Sequence, residues 1–495
     1  MKKFELIIIL IFSCFAFAGI YHHEIWLDEA HHWLLARDSV SIPDLIYNMR
    51  YDGHPALWNI LLFGVSRFTH DPIGMQILNA AISIMAVFVF LKHSPFSKLE
   101  KTLFIFGYFI LYEYSVISRN YSLVLFFLFL VIVQLSKVKK NYLMLGILLA
   151  LLSNTHLFAF IISVGIVVYV GTNLILQNNG DIMHGLKIGF VLFLIGAILC
   201  ILQINPPTNS PFLNKYDGVI SFSRINLALS SFVRAFIPIS DFSSHHFWNS
   251  NFPLHYSQFL AALISIPIFF LPILLMPKKP ASLLFYYFSV AGILFFVYLT
   301  GLNSVRHFGI IYILFISAIW LSKTEVPINW NKSKLINWLA TIQSKYDATI
   351  ILSLFIIQAS AGIITYSIDV IKPFSANKEA ADFIATHFKN NYELITFHAP
   401  TPGVCSYLQN KVYLLEDKEW GSYIHWERNL TMPLDEKKLL LRALDFAKKS
   451  QKKICLILYR QFEVKDPITK HFQLLKSVKS GIVKSEEFYI YSITL

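Results

Sequence analysis

The sequence predicts a mainly α fold: a polytopic membrane bundle of about eleven spanning helices, followed by a small C-terminal α/β unit. Composition is the first reason, since 55% of the 495 residues are hydrophobic, 16% aromatic and only 15% charged, against roughly 25% charged in an average soluble chain. Continuity is the second. The apolar stretches are long and unbroken, which excludes a β-barrel with its alternating strands, a coiled coil and a disordered chain. A span takes about 20 apolar residues, so about 270 apolar residues supply about eleven spans and leave material for a soluble part.

The runs of membrane length fall at about 4–21, 72–91, 101–118, 120–136, 141–153, 155–176, 185–204, 255–276, 281–300, 305–321 and 348–367. The fifth is short. Lys2-Lys3, the apolar run from Leu6 and Ala16-Phe17-Ala18 before Gly19 also have the layout of a signal peptide; with or without cleavage, Tyr21 onward lies on the outer side.

Orientation follows from where lysine and arginine collect near the ends of the runs. An inside N-terminus makes cytoplasmic the segments that hold Lys2, Lys3, Lys92, Lys98, Lys101, Lys137, Lys139, Lys140, Lys187, Lys278, Lys279, Lys323, Lys332, Lys334 and Lys345. The opposite loops, among them 22–71 and 205–254, carry about half as many in nearly twice the length. The net charge of +12 is thus a topology signal and not a nucleic-acid surface. Both long loops and the polar tail land outside, and the chemistry is expected there. No Asp, Glu, Lys or Arg lies near the middle of a span and no repeat relates the two halves, which weakens a transporter reading.

Residues 1–370 form the expected transmembrane domain and 371–495 an extracytoplasmic α/β domain. In the latter, Ser375 to Phe388 and Leu434 to Lys449 have helical spacing, whereas Tyr392 to Phe397, Lys411 to Leu415, Lys453 to Tyr459 and Phe488 to Leu495 have strand patterns. There is no Gly-rich phosphate loop or dinucleotide fingerprint, so no cofactor is assigned. Cys14 and Cys200 lie in apolar runs, while Cys405 and Cys455 in the tail are compatible with either a disulfide or two buried thiols.

Candidate chemistry starts in the first outer loop with Trp26-Leu27-Asp28-Glu29-Ala30-His31-His32-Trp33. On a helix, Asp28, His31 and His32 share a face at i, i+3 and i+4, a spacing that can hold a divalent metal or orient a general base. The plainer alternative is an interfacial helix whose wet side is polar and whose Trp26 and Trp33 sit at headgroup depth. Then come the turn His54-Pro55-Ala56-Leu57, Glu113-Tyr114 and Arg119-Asn120-Tyr121 around a short outer turn, Asn154-Thr155-His156, and Arg306-His307. Each alone can be a cap or a snorkelling anchor; their shared side is informative.

This ordered set resembles the GT-C membrane glycosyltransferases, in particular the group with protein mannosyltransferases, the lipid A aminoarabinose transferase and rhizobial lipopolysaccharide core sugar transferases. The resemblance covers about residues 1–370, with a C-terminal domain of the kind many members carry. It implies a bacterial inner-membrane enzyme of cell-envelope glycan biosynthesis, with a cytoplasmic N-terminus and a periplasmic C-terminal domain. The implied reaction takes a sugar from a polyprenyl phosphate, with inversion, to a glycan, lipid or protein acceptor. Asp28 matches the family's acidic residue in the first outer loop, the base, with Glu29 beside it. His54 falls where His-Pro-Pro is common, although Pro55-Ala56 departs from the double proline; Arg119-Asn120-Tyr121 stands in place of Arg-Pro-Tyr, and Arg306-His307 in place of Arg-Tyr.

Physical chemistry suits these roles. A carboxylate that removes a hydroxyl proton during attack lowers the barrier. Fixed cations stabilise the growing charge on a leaving lipid phosphate, and Arg119 and Arg306 can each pair with phosphate through two hydrogen bonds, with His54 a third contact. Glu113, Tyr121, His156 and His307 are acceptor-binding or auxiliary candidates, and a divalent metal stays open. The rivals are a glycan polymerase or ligase using loop 205–254, a flippase of lipid-linked sugars, and a noncatalytic scaffold.

Overall fold

The computed structural model describes every residue except 1, 178–182, 209–219, 245–246, 329–332, 390, 427–434 and 480. Part of the long loop 205–254 therefore lies outside the described residues. The helices are α1 (Lys3–His22), α2 (Leu27–Asp38), α3 (Ile42–Asn48), α4 (Leu57–Ser66), α5 (Ile73–His93), α6 (Lys98–Ile105), α7 (Tyr121–Ser136), α8 (Tyr142–Ser153), α9 (Leu157–Gln177), α10 (Met183–Ile204), α11 (Phe222–Phe236), α12 (Phe252–Tyr256), α13 (Gln258–Leu275), α14 (Pro280–Thr300), α15 (Val305–Ser322) and α16 (Lys334–Ile371). Among the described residues eight of them, α1, α5, α9, α10 and α13 to α16, are long and apolar enough to cross a bilayer, and the chain is a multi-pass membrane protein.

Of the other three expected spans, two form apolar helices at the expected positions but fall short of that length, and one is broken. Helices α7 and α8 are apolar but have 16 and 12 residues; at 1.5 Å per residue, α8 is about 18 Å long against a hydrocarbon core of about 30 Å. The run 101–118 is not one helix. It ends as α6 at Ile105, breaks at Phe106-Gly107 and re-forms as a single π-helical turn, Tyr108–Glu113. The break is where α16 presses in: a Cβ on Gly362 would lie 2.7 Å from the Tyr108 nitrogen and 2.8 Å from the Phe106 oxygen. Backbone meets backbone there, which only glycine permits. The expected span 348–367 is the later part of the 38-residue α16.

Helix α15 is the axis of the bundle. Apart from Arg306 its residues are buried throughout, as expected of a helix that is apolar on all sides, so its first turn delivers Arg306 and His307 to protein and not to lipid. Loop 205–254 also carries structure that its length concealed. In α11, Ala228, Phe232, Ala235 and Phe236 form an apolar stripe at helical spacing and pack against α13, α14 and α15.

The C-terminal unit adds helices α17 (Asn377–Phe388), α18 (Pro402–Leu408) and α19 (Glu436–Lys449) to strands β1 (Tyr392–Thr396), β2 (Val412–Leu414), β3 (Glu419–Gly421), β4 (Lys453–Leu458), β5 (Phe472–Val478) and β6 (Phe488–Ile493). The sheet order is β3-β2-β1-β4-β6-β5. β1 runs parallel to β2 and β4, and the outer pairings are antiparallel. The four expected strands and two expected helices are present; β3, β5 and α18 are additional. All four cysteines are free thiols, so the Cys405–Cys455 disulfide does not form. One face of the sheet is covered by α17 and α18 in a buried cluster that also contains Leu34 of α2. That shared cluster joins the unit to the first loop.

Candidate active site

Helix α2 is not the surface helix that its tryptophans suggest. Glu29 through Arg37 are all buried; Trp33 packs among Ala30, Ala36, Trp58 and Met75, and Trp26 lies edge-on to Trp248 at 4.7 Å. The C-terminal unit covers the helix instead of headgroups. Tyr407 Oη accepts the Ile25 N–H at 3.0 Å, Glu486 Oε1 accepts the Leu27 N–H at 2.7 Å, and Asn377 and Ser375 donate to the Ile25 carbonyl, each at 3.0 Å. Asn377 also donates to Glu486. At the far end of α2, Ser422 donates to Asp38.

The two acidic residues of α2 diverge. Glu29 points inward and is fully engaged: Oε2 accepts the Trp26 N–H at 3.1 Å and meets His23 Nε2 at 3.0 Å, while Oε1 accepts the Ser118 N–H at 2.5 Å. The other His23 nitrogen, Nδ1, is 2.8 Å from Asp369 Oδ2 at the end of α16. Burial opposes charge on His23, but the Asp369 and Glu29 carboxylates outweigh it and raise its pKa to about 10. This imidazolium between two carboxylates ties together α1, α2 and α16.

Asp28 faces the other way, with a side chain 28% exposed, and its Oδ2 lies 2.9 Å from Arg119 Nη1 and 2.6 Å from Arg306 Nη2. Burial raises its pKa, yet the Arg306 and Arg119 guanidinium groups prevail and hold the carboxyl below the usual range. The Arg306 guanidinium stands over Trp26 at 4.9 Å and Trp248 at 5.8 Å, and Tyr114 Oη donates to its carbonyl at 2.7 Å. Three guanidinium nitrogens, Arg119 Nε and Arg306 Nε and Nη1, are buried without a partner. Donors left unpaired in a low-dielectric site are costly, and an anion would satisfy them.

Around this core stand the other candidates. Glu113 Oε2 accepts from Tyr108 Oη at 2.9 Å and Trp248 Nε1 at 3.2 Å, and its Oε1 is buried without a partner. Tyr121 Oη is 2.6 Å from His307 Nδ1, and its ring stacks on Tyr114 at 4.9 Å. His32, His54, His156 and His307 follow one another at ring separations of 5.8, 5.6 and 6.2 Å.

Asp28, His31 and His32 do not assemble as metal ligands. Ile424 N–H donates to His31 Nδ1 at 3.2 Å, which leaves Nε2–H to face Asp52 at 3.3 Å; His32 Nδ1 is 3.0 Å from Asn59 Oδ1. The shared helix face is real, but each side chain is claimed by a different element. Among the described residues no group of three or more His, Cys, Asp or Glu side chains is placed to hold a metal ion. His23, Asn59, Trp248, Asp369, Tyr407 and Glu486 also belong to this region. None stood out in the sequence, because what marks them is burial next to a charge or an unpaired backbone group.

No protein-family model matches the sequence, and no curated protein does. Solved structures with this architecture include ArnT from Cupriavidus metallidurans in the apo state, with a TM-score of 0.53 and 10% identity over 98% of this chain and 97% of that one. The same protein bound to undecaprenyl phosphate gives a TM-score of 0.50 at 10% identity over the same shares. At that identity the likeness is one of fold: the chain has the architecture of ArnT over essentially its whole length.

Proposed function

We propose that this protein is an inverting glycosyltransferase that moves a sugar from a polyprenyl phosphate to an acceptor hydroxyl at the outer face of the membrane. The observation that carries this reading is the Asp28 carboxylate held between Arg119 and Arg306, with three further guanidinium nitrogens buried and unpaired. An ArnT structure holds undecaprenyl phosphate, which accords with a lipid phosphate as the anion those donors would receive.

Arg119 and Arg306 bind the donor phosphate through their free N–H groups. Asp28 accepts the proton of the acceptor hydroxyl as its oxygen attacks the anomeric carbon from the side opposite the phosphate. The new glycosidic bond forms, the bond from anomeric carbon to phosphate oxygen breaks, and the electron pair leaves with the lipid phosphate. Before transfer, two guanidinium charges meet one carboxylate and one phosphodiester. Afterwards they meet a dianionic lipid phosphate and a neutral Asp28 acid. The formal charge is zero at both ends, so the step creates no uncompensated charge in a buried pocket. Glu29, closed in by Trp26, Ser118 and His23, positions the start of α2, and Glu113 orients the Arg306 side of the pocket through Trp248. The N-terminus is cytoplasmic, and residues 371–495 form an outer domain that clamps the catalytic helix.

The test is transfer by the purified full chain in vesicles, with undecaprenyl-phosphate sugars as donors and envelope glycolipids as acceptors. Loss of labelled sugar from the lipid with gain on an acceptor is expected, and Arg306→Gln is expected to abolish it. Movement of intact donor across the vesicle without cleavage would identify a flippase and overturn the proposal.

A further inference from the structure

The row of histidines beside the arginines has polar atoms that the phosphate chemistry does not use. His156 is buried, and its Nδ1 accepts the Phe158 N–H at 3.0 Å. That bond fixes the tautomer, so Nε2 carries the proton, and this donor is buried with no acceptor. Asn59, also buried, gives its Oδ1 to His32 Nδ1 and leaves its Nδ2 amide donors unpaired. With Nδ1–H donating to Asn59, the second His32 nitrogen is an acceptor. His54 Nδ1 is a further buried polar atom without a partner, between the His32 and His156 rings.

Arg119 is an electrostatic neighbour of His32, His54 and His156 alike, so the row continues from the phosphate-binding guanidinium groups. Burial and the Arg119 charge keep the imidazoles neutral: His32 is held well below its usual value and His54 is lowered to about 4. The row therefore offers donors and acceptors side by side, carries no charge of its own and lies next to two cations. Hydroxyl groups, each able to donate and accept, match such a surface. An ammonium group only donates, so it cannot satisfy the unpaired His156 and Asn59 donors as a hydroxyl can, and the carboxylates nearest His54 are already engaged, Asp52 with His31 and Asp28 with both arginines.

We propose that His32, Asn59, His54 and His156 form the subsite for the transferred sugar and that this sugar is neutral and hydroxylated, not an amino sugar. The proposal rests on the glycosyl-transfer reading above and names its donor class.

The test is equilibrium binding to the purified full chain in lipid nanodiscs with four probes of matched lipid. These are undecaprenyl methyl phosphate, a diester with no sugar; undecaprenyl phosphate carrying glucose; the same lipid carrying galactose; and the same lipid carrying 4-amino-4-deoxyarabinose. At least one neutral hexosyl probe is expected to bind roughly tenfold more tightly than the methyl diester, the gain of two satisfied buried donors, and the amino-sugar probe no more tightly than the methyl diester. The double substitution His156→Ala with Asn59→Ala is expected to remove that tenfold gain and leave methyl diester binding unchanged, a control that also reports folding. Tighter binding of the amino sugar than of either hexose, or an equal loss for all probes in the double variant, would overturn the proposal. The wild-type comparison needs no variant. If the methyl diester does not bind, or binds equally well to Arg306→Gln, the glycosyl-transfer reading itself fails; if it binds through Arg306 and no sugar adds anything, only the subsite falls.

Discussion

Replacing Asp28 by asparagine should move turnover and phosphate affinity in opposite directions. The side chain keeps its volume, but the carboxylate that meets Arg119 at 2.9 Å and Arg306 at 2.6 Å becomes a neutral amide. Loss of a general base costs about 10²- to 10⁴-fold in kcat. The anion site, in contrast, gains. A negative charge about 6 Å from a bound phosphate opposes binding by about 0.7 kcal/mol at the dielectric of water and about 2.8 kcal/mol at an effective dielectric of about 20, a range centred near tenfold. Asp28→Asn should therefore bind undecaprenyl phosphate about tenfold more tightly while transfer falls at least a hundredfold, and the gain should shrink at high salt as screening grows. Some loss of thermal stability accompanies this, because two guanidinium groups lose their shared counter-charge, so both measurements belong well below the melting temperature. Titration with labelled undecaprenyl phosphate and single-turnover transfer in vesicles supply the two numbers. Turnover within threefold of wild type, or weaker phosphate binding, would refute the assignment of Asp28 as a base set between phosphate-binding arginines.

Three further expectations concern the scaffold. His23→Gln leaves Glu29 and Asp369 without their shared cation and should cost about 3–5 kcal/mol, seen as a large drop in melting temperature in detergent. The stability that charged His23 provides is fully present below its unfolded pKa near 6.5 and is lost as pH rises through about 10, so the variant should melt with less pH dependence across that range. Burial raises Glu486 to about 8, so the fold favours its protonated form. The associated stability is present below about 4.5 and lost as pH rises through 8, and Glu486→Gln should flatten that part of the melting profile. Tyr407→Phe strips the acceptor from the Ile25 N–H and should cost about 1–3 kcal/mol, lowering both melting temperature and kcat, because Ile25 leads into the turn that carries Asp28; unchanged values would show that this contact does not hold the loop.

The extent to which the amino-acid order foretold these features depends on the kind of force involved. Long apolar runs must leave water wherever they occur, so helices such as α1, α5, α9 and α14 were legible to within a few residues. The strands of the C-terminal unit were legible where alternation or a buried run marks them, as in β4 and β6, and invisible in the short β3 and in β5, whose middle residues are exposed or half-buried and show no buried run. The run 101–118 misled, since hydropathy cannot register that Gly362 lets α16 press against its backbone at Gly107. The pair Trp26 and Trp33 misled in the same way: their amphipathic spacing fits a membrane surface as well as a protein interior, and the covering element lies about 380 residues away at Tyr407.

The candidate site divides along the same line. Local sequence determined which groups are chemically able to serve, since a carboxylate beside a turn and arginines at helix starts keep their character in any fold. Which of two adjacent acids faces the arginines was decided only in three dimensions. Asp28 and Glu29 differ by one position, about 100° around a helix of 3.6 residues per turn. The packing of α2 against His23 and Ser118 on one side, and against Arg119 and Arg306 on the other, gives one of them a structural and the other a chemical environment. Hydrophobic content sets where the chain goes because it acts on every residue independently of its partners; the pairing of charges needs partners brought from four distant segments, and only the folded bundle supplies them.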